Sequence, residues 1–186
     1  MINIVIVEDK LKNAMDLAMQ LKELAAERPE LDIRVKAICL FYEDYKEKDE
    51  KEKAVSRILR EDHDYEVKLV SLYDFDDVMD SYMLDQENPT IAIMDFLLES
   101  ATDRGARGIA ARRVNIRYIR SAEKEAQDRI WCYTTSGRYN VEILCELIGQ
   151  EHVLKADSIR NGRLFLNLEN TSFMAALQGE AMLQTG

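Results

Sequence analysis

The chain has 186 residues, 47% of them apolar, which is enough for one domain with a real core. Its net charge of −10 and pI near 4.8 argue against bulk binding to nucleic acid or to an acidic membrane surface. Cys39, Cys132 and Cys145 show no paired spacing and read as reduced thiols, no signal peptide precedes the first apolar run, and no run approaches the roughly 20 residues that span a bilayer. A cytoplasmic protein without membrane insertion is therefore expected.

The chain opens with Ile2-Asn3-Ile4-Val5-Ile6-Val7, an apolar run that passes directly into Glu8-Asp9. A strand is predicted here, followed by a helix whose stripe is Leu11, Ala14, Met15, Ala18, Leu21 and Ala25 and whose stop is Arg28-Pro29. The turn Glu8-Asp9-Lys10 holds no glycine, which excludes a dinucleotide fingerprint or a Walker loop and offers carboxylates suited to a hard cation.

Residues 31–64 read as a strand over 31–41, a run dense in both charge signs over 43–53, and a helical stripe from Ala54, Val55, Ile58 and Leu59. This segment is expected to be an insertion in the domain. A strand over 65–73 follows, and then a helix capped by Asp74 with Phe75, Val78, Met79 and Tyr82 inward. Capping also accounts for Asp76 and Asp77, because a calcium loop would need a glycine and a closing glutamate.

Residues 91–98, Ile-Ala-Ile-Met-Asp-Phe-Leu-Leu, form a short apolar run with one carboxylate set into it. Such a run suits a strand buried on both faces of a parallel sheet, and Asp95 suits the place where that strand meets solvent. A loop over 97–105 and a helix over 106–129 are predicted next. That helix carries Arg107, Arg112, Arg113, Arg117 and Arg120, with Arg104 just before it, which suit an ordinary solvated helix first, and otherwise a docking face for an acidic partner or an internal balance for carboxylates. A strand at Ile130-Trp131-Cys132-Tyr133 runs into Thr134, a helix covers 139–148, and Val153-Leu154 runs into Lys155. A short apolar stretch at 164–166 and a helical stripe over 173–183 close the chain. If the strands lie parallel, one sheet edge gathers three carboxylates, a hydroxyl and an ammonium, and that edge is where open α/β sheets bind ligands.

An acidic pair, a lone aspartate, a hydroxyl and a lysine, each ending a strand and in that order, resemble the receiver domain of two-component response regulators. The resemblance covers residues 1–28 and 65–160. It implies a doubly wound parallel α/β sheet of five strands, flavodoxin-like, in the order 2-1-3-4-5 with right-handed crossovers, filling one domain with no separate effector domain. It implies that Asp95 is a phosphoacceptor, that Glu8, Asp9, Asp95 and the backbone carbonyl of Leu97 hold one Mg²⁺, and that Lys155 and Thr134 meet the phosphoryl oxygens. Thr134 and His152 would be switch residues. The implied partners are a sensor histidine kinase or phosphotransfer protein and a downstream protein, with a homodimer as an option and no nucleic acid. A conventional enzyme is not implied, beyond self-phosphorylation and self-dephosphorylation. The chain departs from the family pattern at Ala156 and at Glu99-Ser100, where prolines are usual, and in its longer connections. A degenerate receiver serving as a phosphorylation-independent scaffold is the alternative. A Mg²⁺-dependent phosphohydrolase ranks behind both, because Phe96 and Leu97 stand where its second acid is needed.

Overall fold

The computed structural model describes residues 1–42, 44–58, 65–84, 88–96, 98, 114–135, 138–160 and 162–184. The apolar runs become strands as expected. In chain order, β1 (Ile2–Glu8) leads to α1 (Leu11–Glu27), β2 (Ile33–Tyr42) to α2 (Tyr45–Ile58), and β3 (Glu66–Ser71) to α3 (Phe75–Met83). Then β4 (Thr90–Asp95) precedes α4 (Val114–Ser121) and the single turn α5 (Lys124–Gln127). Finally β5 (Ile130–Thr134) and α6 (Arg138–Ile148) precede β6 (Val153–Arg160), β7 (Arg163–Leu166) and α7 (Thr171–Gln184).

The strands form one seven-stranded sheet in the order β3-β2-β1-β4-β5-β6-β7. Every pairing is parallel except β6 with β7. The α/β class and the mostly parallel sheet are as read from the sequence. The five-stranded count is corrected to seven, because β3 lies outside β2 at one edge and β7 folds back on β6 at the other. Gly162 makes that reversal possible, with φ of +72°, a region open to glycine and costly for residues with a Cβ.

Three further expectations change. The segment read as an insertion supplies β2, which pairs with β1 from Ile2↔Ile33 to Glu8↔Leu40 and with β3 on its other side, so its strand belongs to the sheet interior. The helix expected over 106–129 is interrupted between Ser121 and Lys124, and 106–113 lie outside the described residues. β6 continues past Lys155 to Arg160, so Lys155 sits within a strand and not at its end.

The sheet is covered on both faces, as parallel sheets require. On one face Ile4, Ile6, Ile91, Ile93, Trp131 and Leu154 pack against Leu17 and Leu21 of α1 and Phe173 and Leu177 of α7. On the other, Val5, Val7, Ala92, Met94, Cys132 and Val153 pack against Phe75 and Met79 of α3, Val114 and Tyr118 of α4, and Leu144 of α6. Among the described residues, no helix is long and apolar enough to cross a membrane.

Candidate functional site: a buried carboxylate triad

Parallel pairing carries β1 and β4 to the same edge in step, with Val7 beside Met94, so Glu8 and Asp95 end abreast. Asp9 follows Glu8 at the entry to α1. Glu8, Asp9 and Asp95 each offer a carboxylate oxygen, and the three oxygens lie within 4.8 Å of one another. All three residues are buried, at 0%, 5% and 2% exposure. Charged side chains are rarely buried to this degree unless paired or bound to a metal.

The surrounding groups hold this arrangement rather than dissolve it. Oε1 of Glu8 accepts the backbone N–H groups of Asp9 and Lys10, both at 3.0 Å. Oε2 of Glu8 accepts the hydroxyl of Tyr133, a buried residue of β5. The backbone end of β4 is fixed as well. The Nδ2 of buried Asn115, on α4, donates to the carbonyl of Asp95 at 2.5 Å, and the Phe96 N–H donates to the Tyr133 carbonyl at 2.7 Å. Asn115 and Tyr133 are the contributors that sequence reasoning missed. Tyr133 looks like one more apolar strand residue, and Asn115 falls within a helix read for its arginines.

Burial raises the affinity of these carboxylates for protons. Glu8 is pushed up chiefly by burial and further by the charge of Asp95, against the hydrogen bonds from Asp9, Tyr133 and Lys10. Asp9 is pushed up to about 8, by burial first and then by its hydrogen bond to Glu8 and the charge of Glu8. Lys10 and Lys51 act in the opposite direction on Asp9. Lys51 belongs to α2, in the run dense in both charge signs. Its Nζ donates to the Phe41 carbonyl at 2.5 Å and pairs with Glu47 at 2.7 Å. Burial also keeps the Tyr133 phenol far above its ordinary value, so it remains a donor. One carboxylate oxygen stands out: Oδ1 of Asp9 is buried and has no hydrogen-bond partner among the described residues.

The remaining predicted site residues divide. Thr134 is buried at the end of β5 and pairs in register with Lys155 of β6. Lys155 is exposed, and its side chain makes no ion pair among the described residues. His152 is not at this edge. Its Nδ1 lies 2.8 Å from the carbonyl of Ile130, at the amino end of β5, and its ring is 5.1 Å from that of Trp131. Thr134 and His152, named together as switch residues, therefore lie at opposite ends of β5. Leu97, offered as a carbonyl ligand, lies outside the described residues, as do Arg104, Arg107, Arg112 and Arg113. Of the arginines that are described, Arg117 pairs with Asp76 of α3 at 2.9 Å, an internal balance between two helices.

No protein-family model matches the chain, and no curated protein matches it. Among solved structures it is similar to a short-chain dehydrogenase from Oenococcus oeni PSU-1, at 16% identity and a TM-score of 0.40, over 81% of this chain and 69% of that one. The receiver assignment is corrected on two findings: no family model matches the chain, and the sheet is seven-stranded and mixed where a receiver has five parallel strands. The phosphoacceptor role of Asp95, the phosphorelay and the degenerate-receiver scaffold leave with it. The kinase and phosphotransfer partners rested on that resemblance alone. The turn after β1 holds no glycine and presents buried carboxylates, in keeping with the exclusion of a dinucleotide fingerprint.

Proposed function

We propose that this protein is a divalent-cation-binding α/β domain, with one Mg²⁺ held by Glu8, Asp9 and Asp95 and an anionic ligand received at the same sheet edge. The observation that carries this reading is the orphaned Asp9 Oδ1 within a triad of buried carboxylates. Three carboxylates that close in a site shielded from water repel strongly, and either protons or a cation must offset the repulsion. A cation does so while also giving the orphaned oxygen a partner.

Mg²⁺ suits the donor set. It takes oxygen ligands, is commonly held by a few carboxylates, and keeps positions for water or for a ligand's oxygens. Those open positions would face the edge where strands of an open α/β sheet meet ligands. Thr134 and Lys155, paired at that edge, would add a hydroxyl and an ammonium for an anionic group. The reading is one of binding and not of turnover, because Phe96 follows Asp95 where a second acid would be needed for hydrolysis.

Isothermal titration with Mg²⁺ near neutral pH tests it, alongside Asp9→Asn and Asp95→Asn. One saturable site in the parent protein, lost in both variants, is the expected result. Identical titrations of the parent and both variants would overturn it.

A further inference from the structure

The other half of the same edge carries a second, separate feature. Tyr42 ends β2, Ser71 ends β3, and the two are register partners. From there the chain enters α2 past Asp44 and α3 past Tyr73 and Asp74. A cavity of about 270 Å³ opens between the two exits, lined by Tyr42, Asp44, Tyr45, Ser71, Tyr73 and Asp74. Tyr45 and Tyr73 are 84% and 91% exposed. Two large rings standing in water beside one cleft bury nothing for the fold.

Helix capping by Asp44 and a local bond between Ser71 and Asp74 explain part of this group. Oδ1 of Asp44 accepts the Glu47 N–H at 2.8 Å, and Oδ2 of Asp74 accepts the Ser71 hydroxyl at 2.6 Å. Each bond uses one oxygen, and the second oxygen of each carboxylate has no hydrogen-bond partner among the described residues. Two helix N-termini alone would invite an anion, but both aspartates stand at this mouth and, among the described residues, no lysine or arginine lines it. One of these rings already accepts a cation, since Lys48 Nζ lies 5.7 Å from the centre of the Tyr42 ring.

We infer that this cavity receives the guanidinium group of an arginine presented by a protein partner. A planar delocalised cation stacks on tyrosine faces and forks its N–H donors onto carboxylates, which is what three rings and two half-used carboxylates offer together. The chain's net charge of −10 steers such a partner toward it. The cavity needs no metal, so this assignment stands or falls apart from the carboxylate triad.

The test is a titration of the ¹⁵N-labelled protein with N-acetyl-arginine amide, followed by amide shifts. N-acetyl-citrulline amide serves as the neutral isostere and free arginine as a small-molecule comparison. Saturable shifts confined to residues 42–45 and 71–75 are expected. Citrulline should bind at least about tenfold more weakly, and Tyr73→Ala and Asp74→Asn should each weaken arginine binding by a similar factor. Tyr73 is exposed, and asparagine retains an acceptor for Ser71, so both variants should fold. Absence of saturable shifts, or equal binding of citrulline, would overturn the assignment. Tighter binding of free arginine than of the blocked amide would overturn the protein partner.

Discussion

The Tyr133 hydroxyl donates a hydrogen bond to Oε2 of Glu8, joining two buried side chains 125 positions apart in sequence. It ties the end of β1 to β5 across β4, the strand that carries Asp95. Tyr133→Phe keeps the ring and leaves a buried carboxylate oxygen without its donor. A loss of roughly 1–3 kcal/mol in stability is expected, measured by urea unfolding. Mg²⁺ affinity should fall about tenfold by titration calorimetry, because Glu8 is no longer held.

Proton uptake by the triad sets a pH dependence. Asp9 binds its proton up to about 8 in the folded protein, against an ordinary value of 3.8 once unfolded. Between those values the folded state holds more protons than the unfolded one, so metal-free stability should fall as pH rises through that window. Glu8, also raised, acts in the same direction. Mg²⁺ displaces the proton, so its affinity should climb over the same range and level off above about 8. Thermal melts across this range, with EDTA and with Mg²⁺, check both slopes. A metal-free stability that is flat across the window would contradict the raised value for Asp9.

Asp9→Asn separates charge from shape. Without a metal, the variant should be more stable than the parent at pH about 8, because one buried charge is gone, and its pH dependence should be shallower. Mg²⁺ should no longer raise its melting temperature. A variant still stabilised by Mg²⁺ as strongly as the parent would remove Asp9 from the ion.

Asn115 holds the backbone behind Asp95. Its side chain is fully buried, with Nδ2 on the Asp95 carbonyl at 2.5 Å and Oδ1 accepting the Ile116 N–H at 2.8 Å. Asn115→Ala leaves both backbone groups without that partner and should cost roughly 1–3 kcal/mol, seen in chemical denaturation. Asn115→Asp should be no rescue, since it removes the donor and adds a buried charge beside three carboxylates.

Phe173 of α7 is fully buried and meets the Trp131 ring edge-on at 5.5 Å. Phe173→Ala should cost about 3–5 kcal/mol and shift Trp131 fluorescence to the red as water reaches the ring. Trp131 lies toward the amino end of β5 and donates to the Glu151 carbonyl, so Mg²⁺ itself should leave its emission unchanged.

The α/β class, the central strands and the acidic pair at the end of β1 were all legible in residue order. A short apolar run ending in a carboxylate has few other uses, because burying it on two faces requires helices on both sides. The order of the strands in the sheet was not legible. β2 reads as polar alternation and then as apolar run, and nothing local says that it lies against β1 and not at a distant edge. The reversal at Gly162 reads equally as a loop before the last helix. The placement of His152 failed for a similar reason: three residues before Lys155 along the chain is the opposite end of a neighbouring strand once β5 and β6 align.

The sequence by itself determined which residue types stand at the strand ends, and with them the three carboxylates. Tertiary structure alone decided that these are buried within 4.8 Å of one another, that Tyr133 and Asn115 hold them, and that two tyrosine-bearing turns close a cleft beside them. Side-chain periodicity is a property of one segment and survives in the sequence. Register between strands, and the desolvation that follows from it, depend on pairings between segments far apart in the chain.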